Sequence, residues 1–169
     1  MKPLVLFLAP LALGGCVLVN ATETIDPLPA PGVVVREYAS PTAFYAKSIV
    51  IPPGYETIRL PGTIADPLTP GGASFGDTEM QTASVLDKIA AALESVGVSQ
   101  ADVVAMTVYL AAPQPGGVMD FQGMMRAYGK HYGSPEQPNR PVRSTVQVAG
   151  LVAPGVLVEI EVTAARKPR

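Results

Sequence analysis

Two charged residues near the end of the chain are the strongest candidates for chemistry. Arg143 and Glu159 each lie in a short segment that alternates between aliphatic and polar residues, as half-buried strands do. An arginine held on a strand can bind a small carboxylate through two parallel hydrogen bonds. A glutamate on a neighbouring strand can orient a water molecule and accept its proton. We therefore predict that these two strands pair and that the protein hydrolyses a small acidic substrate.

Hydrophobic spacing and turn residues predict the elements that would position these side chains. A first helix begins near Thr78, which has the spacing of a capping box with Gln81, and ends before Gly97. A second helix is capped by Asp120. Two helices cannot cover both faces of a sheet, so the order β-β-α-β-α-β-β predicts an α+β fold with a mixed sheet and both helices on one face. Strands are predicted in five segments: 44–51, 55–64, 103–110, 143–149 and 156–164.

Alternation within the last two strands predicts which side chains face the helices. Val158 lies on the aliphatic side of the last strand, and Glu159 lies on the other side. In the preceding strand Val146 lies on the aliphatic side, opposite Arg143 and Thr145. If both aliphatic sides face the helices, the three polar residues point away from them, toward one pocket. A polar sheet face of this kind favours an interface between subunits.

Composition limits the kinds of function that the chain can have. Its 169 residues suffice for one domain, and 48% of them are hydrophobic while 15% are charged, as in a folded globule. The net charge of -2 argues against a nucleic-acid partner. With one cysteine, an intramolecular disulfide and a zinc site of sulfur ligands are excluded. No motif indicates a metal or another cofactor, and we predict none.

The beginning of the chain resembles a bacterial lipoprotein signal. A basic residue, Lys2, precedes an apolar stretch that is too short to span a bilayer, and small residues follow up to Cys16. We predict lipidation of Cys16 and attachment to the periplasmic side of the cell envelope through the lipid alone. An ordinary signal peptide or a buried strand are the alternatives. The predicted division is a signal peptide, a lipidated cysteine with a Pro-rich tether, and a folded domain: 1–15, 16–41 and 42–169.

Three short segments match a known pattern: PVRSTVQV at 141–148, VEIE at 158–161 and GTI at 62–64. They resemble the signature of the RidA (YjgF) family of enamine/imine deaminases, and the resemblance extends over residues 42–166. It implies a chorismate-mutase-like α+β fold and a homotrimer whose three sheets form a central barrel, with an active site at each subunit interface. The implied substrates are 2-imino and 2-enamino acids, hydrolysed to 2-keto acids and ammonia.

The resemblance also assigns roles to individual residues. Arg143 matches the arginine that binds the substrate carboxylate, and Glu159 matches the glutamate that positions the attacking water. Thr145 matches a position that contacts the substrate, and Tyr45 is a candidate wall of the pocket. Water attack on an iminium carbon needs only orientation and a proton acceptor, so no metal is implied.

Two departures from the family pattern support a second interpretation. Met125 stands where the deaminases usually have an asparagine, and Pro61 stands where a serine is common. A non-catalytic trimeric protein that binds small carboxylates at the cell envelope is therefore the alternative. Arg143 could also be an interface arginine paired with Glu159 or Glu161.

Overall fold

The computed structural model describes residues 32–169. The predicted signal peptide and the lipidation site Cys16 lie outside the described residues. Within them, no helix is both long enough and apolar enough to cross a membrane.

Two helices and six strands form the described part of the chain, together with a short 3₁₀ helix. β1 and β2 pair antiparallel as a small two-stranded sheet, and the other four strands form the main sheet. The strands are β1 Val35–Glu37, β2 Ser48–Val50, β3 Glu56–Ile64, β4 Val103–Ala111, β5 Val142–Val148 and β6 Val158–Arg166. The helices are α1 Thr78–Ser95 and α2 Phe121–His131, and the 3₁₀ helix is Gln100–Asp102.

The order of the main sheet is β3-β6-β4-β5. β4 and β5 are parallel, and the other neighbours are antiparallel, so the sheet is mixed as predicted. The predicted pairing of the last two strands is wrong, because β6 pairs with β3 and β4 and not with β5. The helix between β4 and β5 acts as a crossover, which places β5 beside β4 in the same direction. The connection from β5 to β6 then passes β4, so that β6 pairs with the other edge of β4.

The hydrophobic core lies between the helices and one face of the main sheet, which confirms the predicted α+β layers. Alternate residues of β4 and β6 point into it and are almost fully buried. The apolar sides of α1 and α2 cover them. The largest fully buried apolar members are Val85, Leu86, Ile89, Leu93, Val103, Val108, Leu110, Met124, Tyr128, Val158 and Ile160.

The start of α1 differs from the predicted capping box. Asp77, and not Thr78, is the N-cap, and its carboxylate accepts a hydrogen bond from the backbone N–H of Met80 at 2.9 Å. Gln81 is fully buried and connects the helix to the loop before β6. Its amide donates to the carbonyl of Gly155 at 2.9 Å, and its oxygen accepts from the backbone N–H of residue 157 at 2.8 Å. Gln81 therefore joins two elements.

The first strands are shorter and more numerous than the sequence pattern indicated. The strand predicted at 44–51 is limited to Ser48–Val50. Its partner Val35–Glu37 lies in the segment predicted as part of the tether, with Val35 opposite Val50. Three-residue strands carry too little alternation to be recognised from sequence alone.

Candidate functional site

β5 turns toward the helices the face that was predicted to point away from them. Arg143 is in register with Met106 of β4, which is in register with Val162 of β6, and both of these neighbours are buried in the core. Residues in register across a sheet point to the same face. Arg143 and Thr145 therefore face the helices, and Val146 faces away and is 42% exposed.

The Arg143 side chain rests against two residues of α2. Its Nη2 donates to the sulfur of Met125 at 3.2 Å, and its guanidinium carbon lies 4.2 Å from the centre of the Tyr128 ring. Burial lowers the pKa of Arg143, and the nearby phenols of Tyr128 and Tyr45 oppose this effect. Thioether sulfur is a weak acceptor, and an aromatic face attracts a cation without neutralising it. The guanidinium is thus held in place without a strong anionic partner.

Two polar groups at the Arg143 site have no hydrogen-bond partner among the described residues. Within residues 32–169, no carboxylate lies within ion-pair distance of Arg143, and its buried Nη1 has no hydrogen-bond partner. The buried hydroxyl of Thr145 also has no partner among the described residues. Buried donors are almost always paired in native proteins. Such groups therefore mark a place where a ligand or a neighbouring chain would supply acceptors.

Tyr45, the candidate pocket wall, lies on the same cavity as Arg143. Its side chain is 50% exposed. Tyr45 and Arg143 both line a cavity of about 330 Å³ between the segment before β2 and the beginning of β5. We call Arg143, Thr145, Met125, Tyr128 and Tyr45 the arginine half-site.

Glu159 lies on the other face of the sheet. It is in register with Tyr109, whereas its neighbour Ile160 points into the core. The carboxylate of Glu159 lies against Gly62, where β3 is irregular, and a Cβ atom at Gly62 would overlap it. Glycine is therefore required at this position for the observed placement of the carboxylate. We call Glu159, Gly62 and Tyr109 the glutamate half-site.

A second carboxylate lies beside the glutamate half-site. The hydroxyl of Tyr109 donates to Glu161 at 3.4 Å. Desolvation, and then the charges of Glu161 and Glu159, raise the pKa of Tyr109, so its hydroxyl remains a proton donor at neutral pH. Glu161 and Arg59 also line a cavity of about 420 Å³ on this face. The face away from the helices is thus polar, and Glu159 belongs to it.

A single chain does not bring Arg143 and Glu159 together. The expectation that both residues point away from the helices is correct for Glu159 and wrong for Arg143. Sequence reasoning also missed the contact between Arg143 and Tyr128. The helical spacing offered a partial signal for this contact. Met125 and Tyr128 are three residues apart on α2 and therefore share one side of the helix.

The described residues show no arrangement typical of a metal site. Within 32–169, no group of three or more histidine, cysteine, aspartate or glutamate side chains is placed so that it could hold an ion. His131 has a pKa lowered mainly by burial, and its Nδ1 lies 3.3 Å from the amide nitrogen of Gln100. Its ring contacts Gln100 and Asp87, which belong to neither half-site.

Comparison with known proteins identifies the family. The family model described as Endoribonuclease L-PSP matches residues 40–166. The chain belongs to the RidA (YjgF) family. A RutC family protein from Pyrococcus horikoshii is 38% identical over 99 residues, which are 59% of this chain and 70% of that protein.

Solved structures of RidA-like proteins share the fold. Escherichia coli TdcF with bound serine is 27% identical, has a TM-score of 0.54, and is matched over 82% of this chain and 94% of that chain. A Rid family protein of unknown function, YyfB from Yersinia pestis, has a TM-score of 0.61 over 79% of this chain and 98% of that chain. Because YyfB is only 23% identical, it supports the fold alone.

Proposed function

We propose that this RidA family protein hydrolyses 2-imino and 2-enamino acids to 2-keto acids and ammonia, at sites completed between copies of the chain in a homotrimer. The observation that carries the proposal is Arg143, a half-buried guanidinium without a carboxylate partner among the described residues. A planar cation of this kind matches the carboxylate that every such substrate carries. The serine bound to TdcF, a relative of the same fold, also carries a carboxylate.

The geometry of the two half-sites supports a site between subunits. Arg143 and Glu159 project from opposite faces of one sheet, so within one protomer they cannot act on the same small molecule. They can act together only if the arginine half-site of one copy faces the glutamate half-site of the next copy. Closed rings of identical subunits bring two different surface patches together in this way.

The proposed chemistry requires little beyond orientation. Arg143 binds the carboxylate of the imino acid, and Glu159 of the neighbouring copy orients a water molecule toward the iminium carbon and accepts its proton. The proton held by Glu159 passes to the nitrogen of the tetrahedral adduct, which leaves as ammonia and takes up the hydroxyl proton, so that the C=NH₂⁺ group and water become a carbonyl group and an ammonium ion. Gly62 leaves the space that the carboxylate of Glu159 occupies, and a Cβ atom at this position would overlap it.

The test compares Arg143→Ala with Arg126→Ala, since Arg126 lies on the exposed side of α2 and pairs with Glu79. An imino acid is generated in situ by an amino-acid oxidase, and the release of ammonia and keto acid is measured. Loss of a charge-assisted contact predicts that Arg143→Ala lowers kcat/KM at least about tenfold. Equal rates for wild type and Arg143→Ala above the uncatalysed background would refute the assignment.

A non-catalytic carboxylate-binding protein is the second candidate, and Met125 favours it. A thioether can hold the guanidinium, but it cannot donate a hydrogen bond to substrate or water as an asparagine amide can. In this case 2-keto acids would raise the melting temperature through Arg143 while no imino acid is turned over. Turnover above background that depends on Arg143 would exclude this alternative.

We also propose that the protein is held at the periplasmic side of the bacterial cell envelope by a lipid on Cys16. The proposal rests on the apolar stretch and the small residues before this cysteine. Cys16→Ser should move the protein from the membrane fraction to the soluble fraction. An unchanged distribution would contradict it.

A further inference from the structure

The loop of residues 41–45 is fixed although it contains no regular secondary structure. It carries two exposed aromatic side chains, Phe44 at 61% and Tyr45 at 50%. We call it the aromatic loop. A loop of this length without partners would be mobile, and its aromatic side chains would have no defined position.

Arg140 holds the first part of the aromatic loop. Its Nη1 donates to the carbonyl of Pro41 at 3.0 Å and also to the carbonyl of Ala43. Its guanidinium lies 4.2 Å from the centre of the Tyr38 ring, and its backbone N–H donates to the hydroxyl of Tyr38 at 3.1 Å. One side chain thus fixes the loop and the residue that leads into it.

Tyr128 connects the other end of the aromatic loop to the arginine half-site. Its hydroxyl donates to the carbonyl of Phe44 at 2.9 Å, and its ring contacts the guanidinium of Arg143. Burial raises the pKa of Tyr128 to about 12, so the hydroxyl remains a donor at neutral pH. The same side chain therefore supports both Arg143 and the residue next to Tyr45.

We propose that Arg140 and the Tyr128 hydroxyl are positioning residues, which hold the aromatic loop so that Tyr45 closes one side of the Arg143 site over a bound carboxylate. The inference rests on the function proposed above. Without these contacts the loop samples other conformations, and the apparent affinity falls with the fraction of molecules that are competent to bind. The water molecule that Glu159 orients is unaffected by the loop. We therefore expect KM to rise and kcat to stay the same.

The chain offers a matched control for each test variant. Tyr128→Phe keeps the ring beneath Arg143 and removes only the hydroxyl. Tyr132→Phe is its control, because Tyr132 stacks on Tyr128 at 5.1 Å and its buried hydroxyl has no partner among the described residues. Arg140→Met removes the donors to the loop, and Arg126→Met is its control on the exposed side of α2.

The experiment measures steady-state kinetics and amide hydrogen exchange at residues 43–46. Loss of one hydrogen bond predicts that Tyr128→Phe raises KM about fivefold with kcat unchanged, and that exchange at the loop becomes faster. If Arg140→Met does not fold, the pair of tyrosine variants still decides the question. If the wild type is active and Tyr128→Phe and Tyr132→Phe have equal KM values, this inference is overturned while the proposed function stands. A wild type with neither turnover nor carboxylate binding would overturn it together with the proposed function.

Discussion

Arg143 is held by contacts that a substrate can replace. The sulfur of Met125 and the ring of Tyr128 fix its direction, yet neither cancels its charge. A carboxylate is a far better acceptor than a thioether, so its arrival would exchange a weak hydrogen bond for two charge-assisted ones. These contacts therefore position the guanidinium for an anion and leave its charge available for binding.

Gly62 offers a direct test of the glutamate half-site. In Gly62→Ala the new methyl group would overlap the Glu159 carboxylate and push it from its place. Because misplacing a catalytic group by about 1 Å can cost about a hundredfold, we expect kcat to fall about ten- to a hundredfold while KM changes little. Steady-state kinetics measure both quantities.

Gly150→Ala is the control for this substitution, since a Cβ atom there meets no atom within 4 Å and the backbone is not in the left-handed region. If Gly62→Ala and Gly150→Ala have the same kcat, the position of Glu159 does not matter for turnover. Glu159 would then lose the role proposed for it.

At the level of elements, the sequence predicts the types and most positions of the larger helices and strands. α2 begins after Asp120 as predicted, because a carboxylate that accepts from the N–H of Gly123 is a strong local signal. The α+β layers follow from the count of helices and from the buried side of β6.

Strand order and the orientation of β5 could not be predicted, because both depend on partners distant in sequence. Alternation in β5 predicts that its aliphatic side is the core side. Val146 instead faces away, while Arg143 faces the helices, where the Tyr128 ring and the Met125 sulfur contact its half-buried guanidinium. Alternation shows that two faces differ, but it does not show which one a helix covers. Alternation therefore predicts one shared face for Arg143 and Glu159, whereas the two residues lie on opposite faces of the sheet.

Gln81 is the residue through which α1 and the start of β6 stabilise each other. Gln81→Leu keeps the volume but leaves the carbonyl of Gly155 and the N–H of Leu157 without their partner. Unsatisfied buried groups predict a loss of about 3 kcal/mol in the free energy of unfolding, measurable by urea denaturation. Gln122→Leu on the exposed side of α2 is the control, and equal losses in both variants would contradict the assigned role.

At the scale of the whole molecule, one face of the main sheet has no helix over it among residues 32–169. Glu159, Tyr109 and Val146 lie in one row across this face, on β6, β4 and β5. Val146 is the apolar member of the row. A face with this mixture of polar and apolar groups suits contact with further copies of the chain.

The predicted trimer can be tested on this face. Val146→Asp places a charge in the expected interface, so we expect light scattering after gel filtration to give the mass of a monomer. Arg143-dependent activity should disappear as well, although the arginine half-site of each chain is intact. Val118→Asp is the control, because Val118 is 81% exposed before α2. A variant at position 146 that keeps the mass of the wild type would show that this face is not the interface.

The central place of β6 has a consequence for biosynthesis. β3 and β4 have no hydrogen-bonded contact with each other, and β6 is the strand that joins them. A chain that has emerged only as far as β5, whether from the ribosome or on the far side of the membrane, therefore exposes unpaired strand edges and an open apolar surface. The domain cannot complete its fold until residues 158–166 emerge. The interval before they emerge is therefore the stage at which the chain most needs protection from aggregation.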